Sequence, residues 1–250
     1  MFNQGMLKEN CLRNNTFIIT GGGSGLGKSM AKYIIELGAN VIIISRNEEK
    51  LKGTVSELSS LCDDNEISYY MCDVRDGEAV NEIIDLSFNN YKVINGIINN
   101  AAGNFISPTE NLSNNAFSAV IDIVLKGTCN FTLSYGKKCI KNKHRGKILN
   151  IITTYAYTGS GYVVPSAAAK GGVLSLTRSI AAEWAKYNIY CNAIAPGPFP
   201  TKGAWDRLFP KPLSAFFNME KRLPLKRYGD HQELANLSAY LISEYSDYIN

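Results

Sequence analysis

The sequence predicts a single α/β domain made of parallel βαβ units, and three observations carry that prediction. Short β-branched runs alternate with longer amphipathic stretches along the chain. A glycine cluster, "TGGGSGLGKS" from Thr20 to Ser29, sits between the first apolar run and the first amphipathic stretch. The 250 residues are 45% hydrophobic and 19% charged, enough to bury one full core and too apolar for a disordered or fibrous chain.

Residues 1–15 read as an N-terminal arm, followed by a first strand at 16–20 (TFIIT) and a helix over 25–37 that starts inside the glycine cluster. A second strand at 40–44 (NVIII) leads into a helix over 48–61, and a third at 67–72 (ISYYMC) into a helix over 76–88. The fourth strand, 93–98 (VINGII), precedes a long helix over 114–142; the fifth, 147–152 (KILNII), precedes a helix over 168–186. A sixth strand at 188–194 (NIYCNAI) ends the alternation, with a last helix near 231–243. Between them, 196–215 carries five of the eight prolines and two glycines. It reads as a long loop placed to cover a substrate, because long loops in compact domains are usually functional.

Composition narrows the function. The net charge of +4 comes from scattered lysines and arginines, and the densest cluster, "KKCIKNKHRGK" at 137–147, reads as the solvated end of a helix. No aromatic interleaving or nucleic-acid motif accompanies it, so nucleic acid is not expected as a partner. Six widely spaced cysteines, without a C-x-x-C pair or a nearby histidine, predict reduced thiols and no metal site. No apolar run approaches the roughly 18 residues that span a bilayer, and the N-terminus lacks an apolar signal core, so no membrane insertion is expected.

The glycines predict a phosphate cradle. Gly21, Gly25 and Gly27 stand at T-G-x-x-x-G-x-G spacing, where the backbone turns sharply, approaches a pyrophosphate and points free helix N–H groups at it. The candidate cradle is Gly21, Gly22, Gly23, Ser24, Gly25, Leu26 and Gly27. A glycine run alone is also a flexible turn; its place between strand and helix, with a second strand ending 24 residues after Gly21, favours the nucleotide. At that strand end Arg46 can grip a 2′-phosphate, where an acidic residue would instead accept from a ribose hydroxyl. NADPH is the expected cofactor.

Asp73 in "CDV", placed to meet the adenine, and Asn100 in "NNAAG" complete a combination that resembles the short-chain dehydrogenase/reductase family from residue 16 onward. The resemblance implies a doubly wound parallel (Rossmann) sheet, a nicotinamide cofactor contacted also by Lys170, Pro196, Gly197, Pro198 and Phe199, and a homotetramer. It also exposes two departures. The family's Tyr-x-x-x-Lys pair is here Ser166 and Lys170, and the asparagine usual on the preceding helix is Val124.

One branch of the family, the 2,4-dienoyl-CoA reductases of fatty-acid β-oxidation, shows the same two departures. This chain resembles it in "NNAAGNFISPTE", "TTYAYTGSGYVVPSAAAK" and "PGPFPTKGAWDRL". The resemblance implies Tyr155, fifteen residues before Lys170, as catalytic acid, with Asn104 beside it and Ser166 as a nearby polar group. It further implies an acyl-CoA substrate met by Arg75 and Arg207 at the CoA phosphates and by Phe105 and Ser113, in a mitochondrial setting, with the cytoplasm as the alternative. The chemistry is consistent: hydride goes to the far carbon of a conjugated thioester, so charge develops on a distant oxygen and the donors must move with it.

Lys126, where relatives usually carry asparagine, adds charge near the site. The chain ends at "SDYIN", where relatives continue into a seventh strand; the expectation is an exposed edge at 188–194 and partly uncovered Leu237, Leu241 and Ile242. Two other readings stand beside the first: another acyl-CoA or 3-ketoacyl reductase of the family, and a non-catalytic nucleotide-binding homologue.

Overall fold

A computed structural model describes residues 7–201 and 219–250. Its six strands are β1 (Thr16–Thr20), β2 (Asn40–Ser45), β3 (Ile67–Met71), β4 (Gly96–Asn99), β5 (Gly146–Ile151) and β6 (Ile189–Ile194). They form one sheet in the order β3-β2-β1-β4-β5-β6, with every pairing parallel. The order reverses between β1 and β4, which opens the crevice where ligands of such sheets bind.

The helices include α1 (Gly25–Glu36), α2 (Glu48–Leu58), α3 (Gly77–Tyr91), α4 (Asn114–Ile121), α5 (Gly127–Asn142), α6 (Tyr155–Thr158), α7 (Val164–Trp184) and α8 (His231–Ile242). Strand alternation sorts the core into two layers. Phe17, Ile19, Val41 and Ile43 point to the face covered by Ile34 of α1, Leu51 of α2 and Leu234 and Ala239 of α8. Ile18, Ile42, Ile97 and Ile148 point the other way, against Ile84 of α3, Phe131 and Tyr135 of α5 and Ile180 and Trp184 of α7. Both faces are buried, which is why the strands read as continuous apolar runs rather than as an alternation.

The long helix predicted over 114–142 is interrupted by one wide turn of π type, Asp122–Lys126. By length and apolarity alone the run Asn114–Asn142 is long enough to cross a membrane, against the expectation that no apolar run would approach that length. Its Phe131, Tyr135 and Cys139 are instead fully buried against the sheet. The helix over 168–186 begins earlier, at Val164, because Pro165 fits a first helical turn that needs no N–H from it.

At the β6 edge, the Cys191 N–H donates to the Asn250 side chain at 2.8 Å, Asn192 donates to the Ile249 carbonyl at 2.9 Å, and Asn250 donates to Ala181 at 2.9 Å. Lys147, buried in β5, meets Asp247 at 2.9 Å and Ser246 at 3.1 Å. Ile242 is 3% exposed and belongs to the core, against the expectation that it would be uncovered, because α8 packs directly on α1. Leu241 packs partly against the same layer, and Leu237 is exposed.

Candidate active site

The glycine turn is shaped as a cradle. Gly21 has φ +68°, and a Cβ there would lie 2.9 Å from the Asn100 amide. A Cβ on Gly27 would lie 2.3 Å from the Gly21 carbonyl, so helix and turn meet at a distance only glycine permits. Asn100 braces the turn from β4, donating to the carbonyls of Thr20 at 3.1 Å and Gly21 at 3.4 Å. Thr20 Oγ1 accepts from the backbone N–H groups of Asn100 and Ala101, both at 3.0 Å.

The start of α1 fits an anion. Ser24 makes no side-chain cap, and the first turn carries no acidic residue. By contrast α2, α3 and α8 are each capped by a side chain and carry acidic residues in the first turn. The free N–H groups and the positive end of the helix dipole are therefore open to a pyrophosphate.

Past the ends of β2 and β3, three charged residues converge. Asp73 sits 3.7 Å from the Arg46 guanidinium and is held by Arg75 through contacts of 2.6, 3.0 and 3.1 Å. The hydrogen bond from Arg75 holds the Asp73 carboxyl below the usual carboxylate range. Arg75, expected at the CoA phosphates, thus stands in the same cluster as the adenine and 2′-phosphate candidates.

The second half of the site forms where β4 and β5 end. Tyr155 opens the short helix α6, a four-residue element that periodicity does not reveal. Its phenol oxygen accepts from Asn104 Nδ2 at 3.4 Å and lies 3.1 Å from Ser166 Oγ. Asn104 Oδ1 accepts from the Phe105 N–H at 2.9 Å, which fixes the amide orientation. With its oxygen already accepting, Tyr155 keeps its proton for Ser166 or for a substrate oxygen. Lys170, one turn after Ser166 on α7, is buried and donates to the Ile151 carbonyl at the end of β5. Burial pulls its ammonium down to about 8. Val124 is fully buried with Ile152, Ala169 and Val173, so that helix offers packing here and no polar group.

The remaining expectations divide. Phe105 packs partly against the Val124 layer beside Asn104. Ser113 is exposed and caps α4, accepting from the Ala116 N–H at 3.2 Å. Lys126 is exposed at the end of the π turn. Pro196, Gly197, Pro198 and Phe199 follow β6 directly; Arg207, and 196–215 beyond Thr201, lie outside the described residues. Two residues were not foreseen. Thr201 lies against the cradle, 3.3 Å from where a Gly25 Cβ would stand, and His231 bonds Pro200. The proline density of the segment drew attention away from its other side chains.

Among the described residues, no cluster of three or more His, Cys, Asp or Glu is placed to hold a metal. Comparison with known proteins agrees with the geometry. The short chain dehydrogenase family matches residues 15–208. A Caenorhabditis elegans protein named probable 2,4-dienoyl-CoA reductase 3, (3E)-enoyl-CoA-producing, is 40% identical over 99% of this chain and 81% of its own length. A Bacillus subtilis protein named probable 2,4-dienoyl-CoA reductase, (2E)-enoyl-CoA-producing, is 42% identical over 96% of this chain and 93% of its own. A short chain dehydrogenase structure from Bacillus anthracis superposes with TM-score 0.85 at 39% identity, covering 95% of this chain and 92% of that one. With the glycine cradle, the parallel sheet and the Lys170 site in place, this chain belongs to the short-chain dehydrogenase family, an oxidoreductase built for a nicotinamide dinucleotide.

Proposed function

We propose that the protein reduces 2,4-dienoyl-CoA thioesters to 3-enoyl-CoA with NADPH, in the β-oxidation of unsaturated fatty acids. The observation that carries this reading is the Asn104–Tyr155–Ser166 chain at 3.4 and 3.1 Å, formed although Ser166 replaces the usual tyrosine. The names of the relatives support it, as does Arg46 at the end of β2 for the 2′-phosphate.

When bound, the reduced nicotinamide supplies hydride to the δ carbon of the diene. Electron pairs then move through the conjugated chain onto the thioester oxygen, where Tyr155 and Asn104 donate hydrogen bonds to the developing charge. A proton enters at the α carbon, restoring the thioester carbonyl and leaving the double bond between the β and γ carbons. Ser166 stands within reach of Tyr155 to pass that proton on, and buried Lys170 sets positive charge beside the site. A carbonyl reductase would need its acid at the oxygen borne by the carbon that takes hydride, and Ser166 is a poor acid there.

The test is to mix the protein with NADPH and a short 2,4-dienoyl-CoA, follow both chromophores, and place the product double bond by NMR. Coupled loss of both signals with a 3-enoyl product supports the reading. Turnover of a 3-ketoacyl thioester in place of the dienoyl one overturns it.

A further inference from the structure

We propose that His231 is a positioning residue that ties the segment Pro196–Thr201 to the nucleotide-binding helix, and that this tie sets dinucleotide affinity. Its imidazole joins three elements at the first position of α8. Nδ1 lies 2.9 Å from Ser29 Oγ on α1, and Nε2 lies 2.9 Å from the Pro200 carbonyl.

Proton counting fixes how the tie works. The Pro200 carbonyl can only accept, so Nε2 carries the proton. In that tautomer Nδ1 accepts, and the Ser29 hydroxyl turns to it from the Gly25 carbonyl, 3.1 Å away. That carbonyl keeps the backbone N–H one turn along the helix, so nothing is left unbonded. The charged groups on the joined elements are Lys28 and Lys32 of α1, paired with Glu57 and Glu36, and Asp230, Arg227 and Glu233 around the α8 start, where Arg227 pairs with Glu233. The segment 196–201 has none.

The tie has a direct line to the cradle. Pro200 precedes Thr201, whose side chain rests on Gly25, the glycine that opens α1. Ser29 stands one turn further along the same helix. His231 therefore pulls Thr201 and the glycine turn together from both sides, closing the segment over the place the dinucleotide fills. A separate anchor, the Gly229 N–H on the Pro198 carbonyl at 3.1 Å, does not involve the imidazole. It holds the segment near α8 when the tie is cut.

The proposal rests on nucleotide binding by the family fold, and its test separates it from the NADPH assignment. Titrate NADPH and NADH into the parent, His231→Leu, His231→Gln, His231→Asn and Ser29→Ala, and measure melting temperatures without nucleotide. Gln can place an N–H where Nε2 stands; Asn reaches only as far as Nδ1. We expect Leu and Asn to weaken both nucleotides about tenfold, the change one hydrogen bond carries, and Gln to recover most of it. Ser29→Ala weakens binding less, and adds nothing on top of His231→Leu. Parent-like affinity in His231→Leu, or equal losses for Gln and Asn, overturns the proposal. Should the Leu variant fail to fold, Ser29→Ala with unchanged affinity overturns it as well. Equal affinity of the parent for NADPH and NADH defeats the NADPH assignment alone, while the His231 effect on both persists.

Discussion

The Tyr155 phenol and the Ser166 hydroxyl, eleven residues apart in sequence, lie 3.1 Å from each other. The serine at the usual tyrosine position is therefore a partner of the tyrosine proposed as the acid. Tyr155→Phe removes one hydroxyl and keeps the ring, so kcat should fall about 10²–10³-fold, as for loss of an oxyanion-hole donor, while nucleotide affinity stays. Ser166→Ala should cost less, and the double variant should be no worse than Tyr155→Phe alone. Tyr162, 62% exposed, should tolerate Phe with little change. Steady-state kinetics ranks them, and a Tyr162 variant slower than the Tyr155 one would move the acid.

Arg46 is exposed and only loosely held by Asp73 at 3.7 Å, so it is free to turn to a 2′-phosphate. Arg46→Ala should erase most of a preference for NADPH over NADH and leave NADH affinity nearly intact. Isothermal titration with both nucleotides checks it; equal affinities in the unaltered protein would refute the assignment.

Lys170 titrates near 8 in the folded chain, against 10.5 for a free lysine, because burial disfavours its charge. Between those values the unfolded chain binds more protons, so stability from this residue rises with pH; the full cost is present below about pH 8. Lys170→Met should thus exceed the parent in stability near neutral pH, and the gap should shrink by about 3 kcal/mol as pH reaches 10.5. Urea denaturation of both proteins at several pH values measures the gap. A gap independent of pH would contradict a buried, depressed ammonium.

Phe131 is fully buried on α5, in the run whose apolarity could span a membrane. As part of a packed core, Phe131→Ala should destabilise the fold by about 3–5 kcal/mol. A denaturant midpoint close to the parent's would mean that this face of the helix packs elsewhere.

The sequence by itself determined the local grammar: six β-branched runs, the helices between them, and a glycine turn whose place between strand and helix fits a nucleotide cradle. Those features are local, because strand propensity, helix periodicity and close backbone approach act over a few residues. Arg46 was legible for the same reason, since the end of β2 is set by the strand itself. Tyr155 and Asn104 became candidates only through resemblance, because a four-residue helix and a loop carry no periodic signal.

Tertiary structure decided what lies beside what. It brought Arg75 onto Asp73 and next to Arg46, made Ser113 a helix cap, and set the tyrosine against the serine. It buried Ile242 under α1 and broke the long helix at Asp122–Lys126. It also closed His231 on Ser29, 202 positions away in the chain. Such meetings depend on how the crossovers wind around the sheet, and side-chain hydrogen bonds between distant elements leave no mark on any window of sequence.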